Sequence, residues 1–165
     1  MNDASAWNGN WAWSLPIIAV TVMFHVIGLG LINVKVIQAA TLMQGRRHFV
    51  FGFALVIGIT TILATVLHAT EAGMWAVAYR ALGALPDNRT AILYSLSAMT
   101  AYGHAELFLA DHWRLMGALE ALNGLILFGL TTAFLYGMIQ RVWPVEVRDW
   151  HLPTMPWARR TKAPE

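Results

Sequence analysis

Apolar residues run through this chain in three long stretches, and charged residues fall almost only between them. No Asp, Glu, Lys or Arg separates Asp3 from Lys35, and Leu15 to Ile32 is nearly all apolar. Phe49 to Leu67 gives nineteen more residues without a charge, in a helical pattern that continues to about Tyr79. A third gap of twenty residues separates Glu120 from Arg141. A bilayer core about 30 Å thick takes roughly 20 helical residues. The pattern therefore predicts transmembrane helices over 14–38, 49–80 and 113–142, with 1–13 as an N-terminal segment and 143–165 as a tail. A fourth apolar stretch, Thr90 to Ala105, is too short to cross and carries Tyr94, Ser95, Ser97, Thr100, Tyr102 and His104. It predicts a half-helix and loop that dip into the membrane and return. The expected fold class is an all-α integral membrane protein: three transmembrane helices, with a re-entrant helix and loop between the second and third.

Composition agrees. Of 165 residues, 58% are hydrophobic and 12% charged, against about 25% charged in a soluble domain. A net charge of +2 is too small to suggest nucleic-acid binding, and the lipid bilayer is the expected partner. The absence of Cys excludes a disulfide scaffold, a zinc ribbon and a thiol nucleophile. The N-terminus has no basic leader, so it is not expected to be a secretory signal. Orientation follows the Lys/Arg bias. Lys35, Arg46 and Arg47 mark one cytoplasmic loop, and Arg141, Arg148, Arg159, Arg160 and Lys162 mark a cytoplasmic tail. That leaves the N-terminus outside, in what is expected to be a bacterial cytoplasmic (inner) membrane. The tryptophans stand at span ends: Trp7, Trp11 and Trp13 before the first, Trp75 and Trp113 at the outer ends of the second and third, and Trp143, Trp150 and Trp157 beyond. They are expected to act as interfacial anchors.

The run Tyr94-Ser-Leu-Ser-Ala-Met-Thr-Ala-Tyr-Gly-His-Ala-Glu106 leads to Trp113-Arg114, and then to Gly124-Leu-Ile-Leu-Phe-Gly-Leu-Thr-Thr-Ala133. Over residues 49–142 this order resembles the pore region of bacterial potassium channels, and especially small bacterial ion-channel-like proteins with an extra N-terminal helix. The resemblance implies an outer helix, a re-entrant pore helix and loop, and an inner helix with a Gly near its middle, here Gly124 with Gly129 following. It also implies a homotetramer around a filter, with a monovalent cation as the species bound.

At the filter, Thr100 is followed by Ala101-Tyr102-Gly103-His104-Ala105-Glu106, where the family has Thr-Val-Gly-Tyr-Gly-Asp; only Gly103 is identical. A potassium filter replaces the hydration shell of the ion with backbone carbonyls from four chains. Aiming them inward needs left-handed conformations that Gly adopts freely, whereas Ala pays about 1–2 kcal/mol per chain. Ala101 also lacks the hydroxyl that would line the innermost site, and His104 and Tyr102 replace a wedging Tyr and a packing Val. Glu106 keeps an acidic group at the mouth. Two functions follow as expectations. One is a pore-loop cation channel with altered potassium selectivity; the other is a non-conducting structural or accessory subunit among unrelated membrane subunits.

Other polar residues lie within the spans. His68, Glu71 and Trp75 share a face of the second, and Glu120 and Asn123 lie one to two turns inside the third. Ionisable groups inside a membrane are functional candidates, and His68, Glu71, Glu120 and Asn123 are expected to brace the re-entrant loop from behind. His68 and Glu71 make half of a carboxylate–histidine metal pattern, but no Glu-x-x-His pair occurs and His25 stands alone in its span. No metal, haem or other cofactor is therefore expected. Neither a G-x-S-x-G elbow, an H-E-x-x-H helix nor a phosphate-binding glycine loop is present, so no catalytic residue and no enzyme activity are expected.

Overall fold

The computed structural model describes residues 3–43, 49–103 and 107–142. It is built from α1 (Asp3–Met43), α2 (Phe49–Ala81), α3 (Asn88–Met99) and α4 (Arg114–Val142), with a single 3-10 turn, Asp111–Trp113, leading into α4. Arg46, Arg47, His104, Ala105, Glu106 and the tail 143–165 with its three tryptophans lie outside the described residues. Segments Ser5–Ala39, Val50–Ala81 and Asp111–Arg141 are long and apolar enough to cross a bilayer. Among the described residues the regular structure is all helical, and the chain is a membrane protein by these three helices. α1 starts about three turns earlier than the hydropathy pattern predicts, so residues 3–13 are helical rather than a separate segment.

Contacts fix the directions of the helices. Asn10 meets Met116, Thr21 meets Asn123 and His25 meets Thr131. Numbers rise together on both helices, so α1 and α4 run parallel. On α2 the order reverses: Tyr79 meets Glu120 and His68 meets Thr131. α1 packs on α2 and α4, and α3 packs on the same pair without touching α1. The cross-section is a diamond, in which α2 and α4 also meet directly between α1 and α3.

Each helix end has a local cause. Gly83, at φ 66°, closes α2 in a Schellman turn in which Ala84 N–H donates to the Tyr79 carbonyl at 2.9 Å and Gly83 N–H to the Arg80 carbonyl at 3.2 Å. Arg80 then ties the connection together, donating to Asn88 Oδ1 at 3.0 Å and to the Leu85 carbonyl at 2.7 Å. Asp87 caps α3, accepting from Thr90 N–H at 2.9 Å and from the Thr90 hydroxyl at 2.6 Å. These bonds hold the Asp87 carboxyl below its ordinary range, the Thr90 hydroxyl being the larger cause. A depressed carboxyl stabilises the fold above its ordinary range, and the contribution is lost as pH falls through its folded value. Asp87→Asn should remove this acid-side dependence from a pH series of thermal unfolding in detergent, while leaving the cap in place.

α3 ends in a second Schellman turn with a different residue at its pivot. Tyr102 N–H donates to the Ser97 carbonyl at 3.0 Å and Ala101 N–H to the Ala98 carbonyl at 2.9 Å, with Ala101 at φ 55°. Gly is the usual residue at such a position; a Cβ there is strained by about 1–2 kcal/mol. Ala101→Gly should therefore raise stability by about 0.5–1 kcal/mol, read as a higher unfolding midpoint. An unchanged or lower midpoint would contradict the strained geometry.

The bundle is apolar outside and partly polar inside. Met23, Ile27, Leu31, Phe51, Ile62, Val66 and Val77 lie exposed on the surface, where lipid is as good a neighbour as protein. The buried faces carry Asn10, Ser14, Thr21 and His25 from α1, and His68 and Glu71 from α2. Ser95 of α3 and Glu120, Asn123 and Thr131 of α4 complete them. With no hydrophobic force between helices in lipid, close packing and interhelical hydrogen bonds must hold the helices together.

One sequence expectation needs correction here. Trp75 is not an interfacial anchor: it is 0% exposed, packed among Ala76, Tyr79, Ala91 and Met116. Small residues on α2 and α3 leave room for the indole between the helices, so it fills the core. Trp7 and Trp13, by contrast, are more than half exposed.

Candidate functional site

Polar contacts between helices form successive tiers along the bundle. At the end where α1 begins, Asn10 donates to the His112 carbonyl at 2.6 Å and accepts from Met116 N–H at 2.8 Å. It thereby satisfies a free amide in the first turn of α4. Deeper in, Glu120 accepts from the Tyr79 hydroxyl at 2.6 Å and is in close contact with the Ser95 hydroxyl, which also donates to the Ala72 carbonyl at 2.7 Å. One carboxylate thus joins α2, α3 and α4. Asn123 then donates to the Thr21 hydroxyl at 2.9 Å, linking α4 to α1.

The deepest tier is the most unusual. His25 Nδ1 stands 2.8 Å from Glu71 Oε1, and His68 Nδ1 stands 3.3 Å from Glu71 Oε2. The Nε2 atoms of both imidazoles lie 3.0 Å from the Thr131 hydroxyl. His25, His68, Glu71 and Thr131 therefore form a four-membered ring spanning α1, α2 and α4. The His25 and His68 ring centres are 5.0 Å apart, and Phe128 stacks on His68 at 4.3 Å. His25 and Glu71 are fully buried and His68 nearly so. His25 sits near the middle of α1 and Thr131 near the middle of α4, so the ring lies well inside the bundle.

The sequence places His25 alone and expects His68, Glu71, Glu120 and Asn123 to brace the loop. In the structure Glu120 does reach α3, through Ser95. Glu71, His68 and Asn123 turn instead to α1 and α4. The reason is geometric: α3 ends at Met99 beside Ala72 and Leu127, above the level of the ring, and α1 fills the space that remains. Thr131, Tyr79, Ser95, Thr21 and Asn10 complete the tiers and were not singled out as sites from sequence. One signal was readable: Asn10, Ser14, Thr21 and His25 recur at spacings of four, seven and four, which puts them on one face of a helix. A polar stripe on a membrane helix faces protein rather than lipid.

The two inner-helix glycines separate cleanly. A Cβ on Gly124 would overlap the Met99 carbonyl, whereas one on Gly129 meets nothing within 4 Å. Gly124 is therefore the seat of the α3 C-terminus. Around the residues expected to form the filter, Thr100 caps α3, Ala101 to Gly103 turn back over its last turn, and Tyr102 is 86% exposed. A groove of about 460 Å³ lies between this turn, α3 and α4, lined by Tyr94, Ser97, Gly103, Phe108, Arg114 and Gly117 among others.

No protein-family model, curated protein or solved structure matches the chain.

Proposed function

We propose that the chain is a subunit of a pore-loop membrane assembly, cation channel-like and homotetrameric, with α3 as a re-entrant helix and α4 as the inner helix. The observation that carries this reading is the seating of α3. It starts beside the end of α2, packs back along α2 and α4, and lodges its last residue against Gly124. Twelve residues give a rise of about 18 Å, enough to reach the middle of a bilayer but not to cross it. The C-terminal end of α3 carries the negative end of its dipole, which favours a cation nearby. The groove beside Ala101 and Gly103 is the surface that neighbouring copies would share. Orientation with the N-terminus outside and the C-terminus cytoplasmic, in a bacterial inner membrane, follows from the Lys/Arg positions.

A second reading has its own support. The Schellman turn at Ala101 folds the backbone over α3 instead of extending it as a row of carbonyls. That favours a non-conducting structural or accessory subunit on the same scaffold. Native mass measurement after mild-detergent extraction, with cation flux into vesicles, separates the two. Four copies with flux support the channel. Four copies without flux support the non-conducting form, and a single copy among unrelated subunits would contradict the homotetramer, since one loop cannot surround a pore.

A further inference from the structure

We propose that His25, His68 and Glu71 form a binding site for a divalent transition-metal ion of zinc-like chemistry, buried between α1, α2 and α4. Their candidate ligand atoms all lie within 4.8 Å of one another. The site does not depend on the pore reading: its three residues come from α1 and α2, and the hydroxyl that both histidines face comes from α4.

The unpaired atoms point to the ion. His68 Nδ1 and Glu71 Oε2 are buried and have no hydrogen-bond partner, yet they face each other at 3.3 Å. In a tetrahedral zinc site, bonds of about 2.0–2.1 Å set neighbouring ligand atoms roughly 3.3–3.4 Å apart. The two atoms thus stand at ligand spacing, with no hydrogen bond formed between them. The separation of 2.8 Å from His25 Nδ1 to Glu71 Oε1 would open by about 0.5 Å to reach the same geometry.

Counting protons leads to the same place. If both Nδ1 atoms bind a metal, each imidazole carries its proton on Nε2. Both Nε2 atoms face the Thr131 hydroxyl at 3.0 Å, and a hydroxyl oxygen has two lone pairs to accept them. Thr131 then fixes both rings from behind, as supporting groups commonly do for histidine ligands. Without an ion, two neutral imidazoles, the carboxylate and the Thr131 hydroxyl hold three protons for four contacts, and the contact left open is the one between His68 Nδ1 and Glu71 Oε2. Two histidines and a carboxylate with a fourth position open are a ligand set that zinc takes. An ionised water in that position would balance the remaining positive charge. Phe128, stacked on His68, closes one side with an apolar surface.

The test uses the full chain in mild detergent, purified with a tag that contains no histidine. It is stripped with a chelator, reloaded with zinc or cobalt(II), desalted and analysed for metal. About one ion per chain is expected, together with visible cobalt(II) absorption of a four- or five-coordinate nitrogen–oxygen site. His25→Ala and His68→Ala should each lower affinity at least a hundredfold. Thr131→Val, which keeps every ligand and the packing volume, should lower it ten- to a hundredfold, so the proposal stays testable if a histidine variant fails to fold. No stoichiometric uptake by the wild-type chain, or uptake unchanged in Thr131→Val and the histidine variants, would overturn the site and leave a hydrogen-bonded ring only.

Discussion

Glu71→Ala is expected to lower the stability of the bundle by about 2–6 kcal/mol, because it leaves two buried imidazoles without their shared partner at about 1–3 kcal/mol each. Glu71 is fully buried and is the common partner of His25 and His68, which come from different helices. Its loss leaves two imidazoles facing each other in an apolar interior, with no water to replace the carboxylate. Glu71→Gln keeps one acceptor and should cost roughly 1–2 kcal/mol. Replacing His25, His68 and Glu71 together by apolar residues of similar volume should cost less than Glu71→Ala alone, because the one partner left, the Thr131 hydroxyl, can turn to a carbonyl of its own helix. Reversible unfolding in detergent without added metal gives all three values. A loss under about 1 kcal/mol for Glu71→Ala would mean that the ring is hydrated or loosely packed.

Gly124→Ala is the second large effect. The added Cβ would overlap the backbone of Met99, the last residue of α3. A flexible side chain could move aside, but a helix end held by Ser95 to Ala72 and Glu120 cannot do so alone. Overpacking of this kind costs about 1–3 kcal/mol, and here it should also displace the Ala101–Gly103 turn from α4. Gly129→Ala, five residues further along the same helix, meets no neighbour and should change stability by less than about 0.5 kcal/mol. If the two substitutions had equal effects in the same unfolding assay, α3 would not be seated as described.

The spans were legible because charges are too costly to leave inside lipid: their absence over long runs marks α2 and α4 within a residue or two and α1 apart from its ends. The early start of α1 was not legible, because Asn8 and Asn10 lower the local hydropathy; Asn10 is tolerated since it caps α4. α3 was readable from its length; its cap, Asp87, lies just before the apolar stretch that marks it. The ring at Glu71 was legible only in part. His68 and Glu71 share a helix face by their spacing, but His25 and Thr131 reach them through the register of three helices, which no local pattern specifies. Trp75 misled for a related reason. Its place near a span end fits an anchor, and only the small residue on the facing helix, Ala91 of α3, makes it a core residue.

A re-entrant α3, as proposed, enters the bundle and returns, so that both of its flanks lie on one side of the membrane. The natural chain has no cysteine, which makes single-cysteine labelling direct. Cysteines placed singly at Asn88 and Phe108, both exposed, can be probed with a membrane-impermeant thiol reagent on intact cells and on inverted vesicles. The account predicts that both label from the same face, the one opposite to a cysteine at Leu42. Labelling of Asn88 and Phe108 from opposite faces would mean that α3 crosses the membrane, and would contradict the pore-loop scaffold outright.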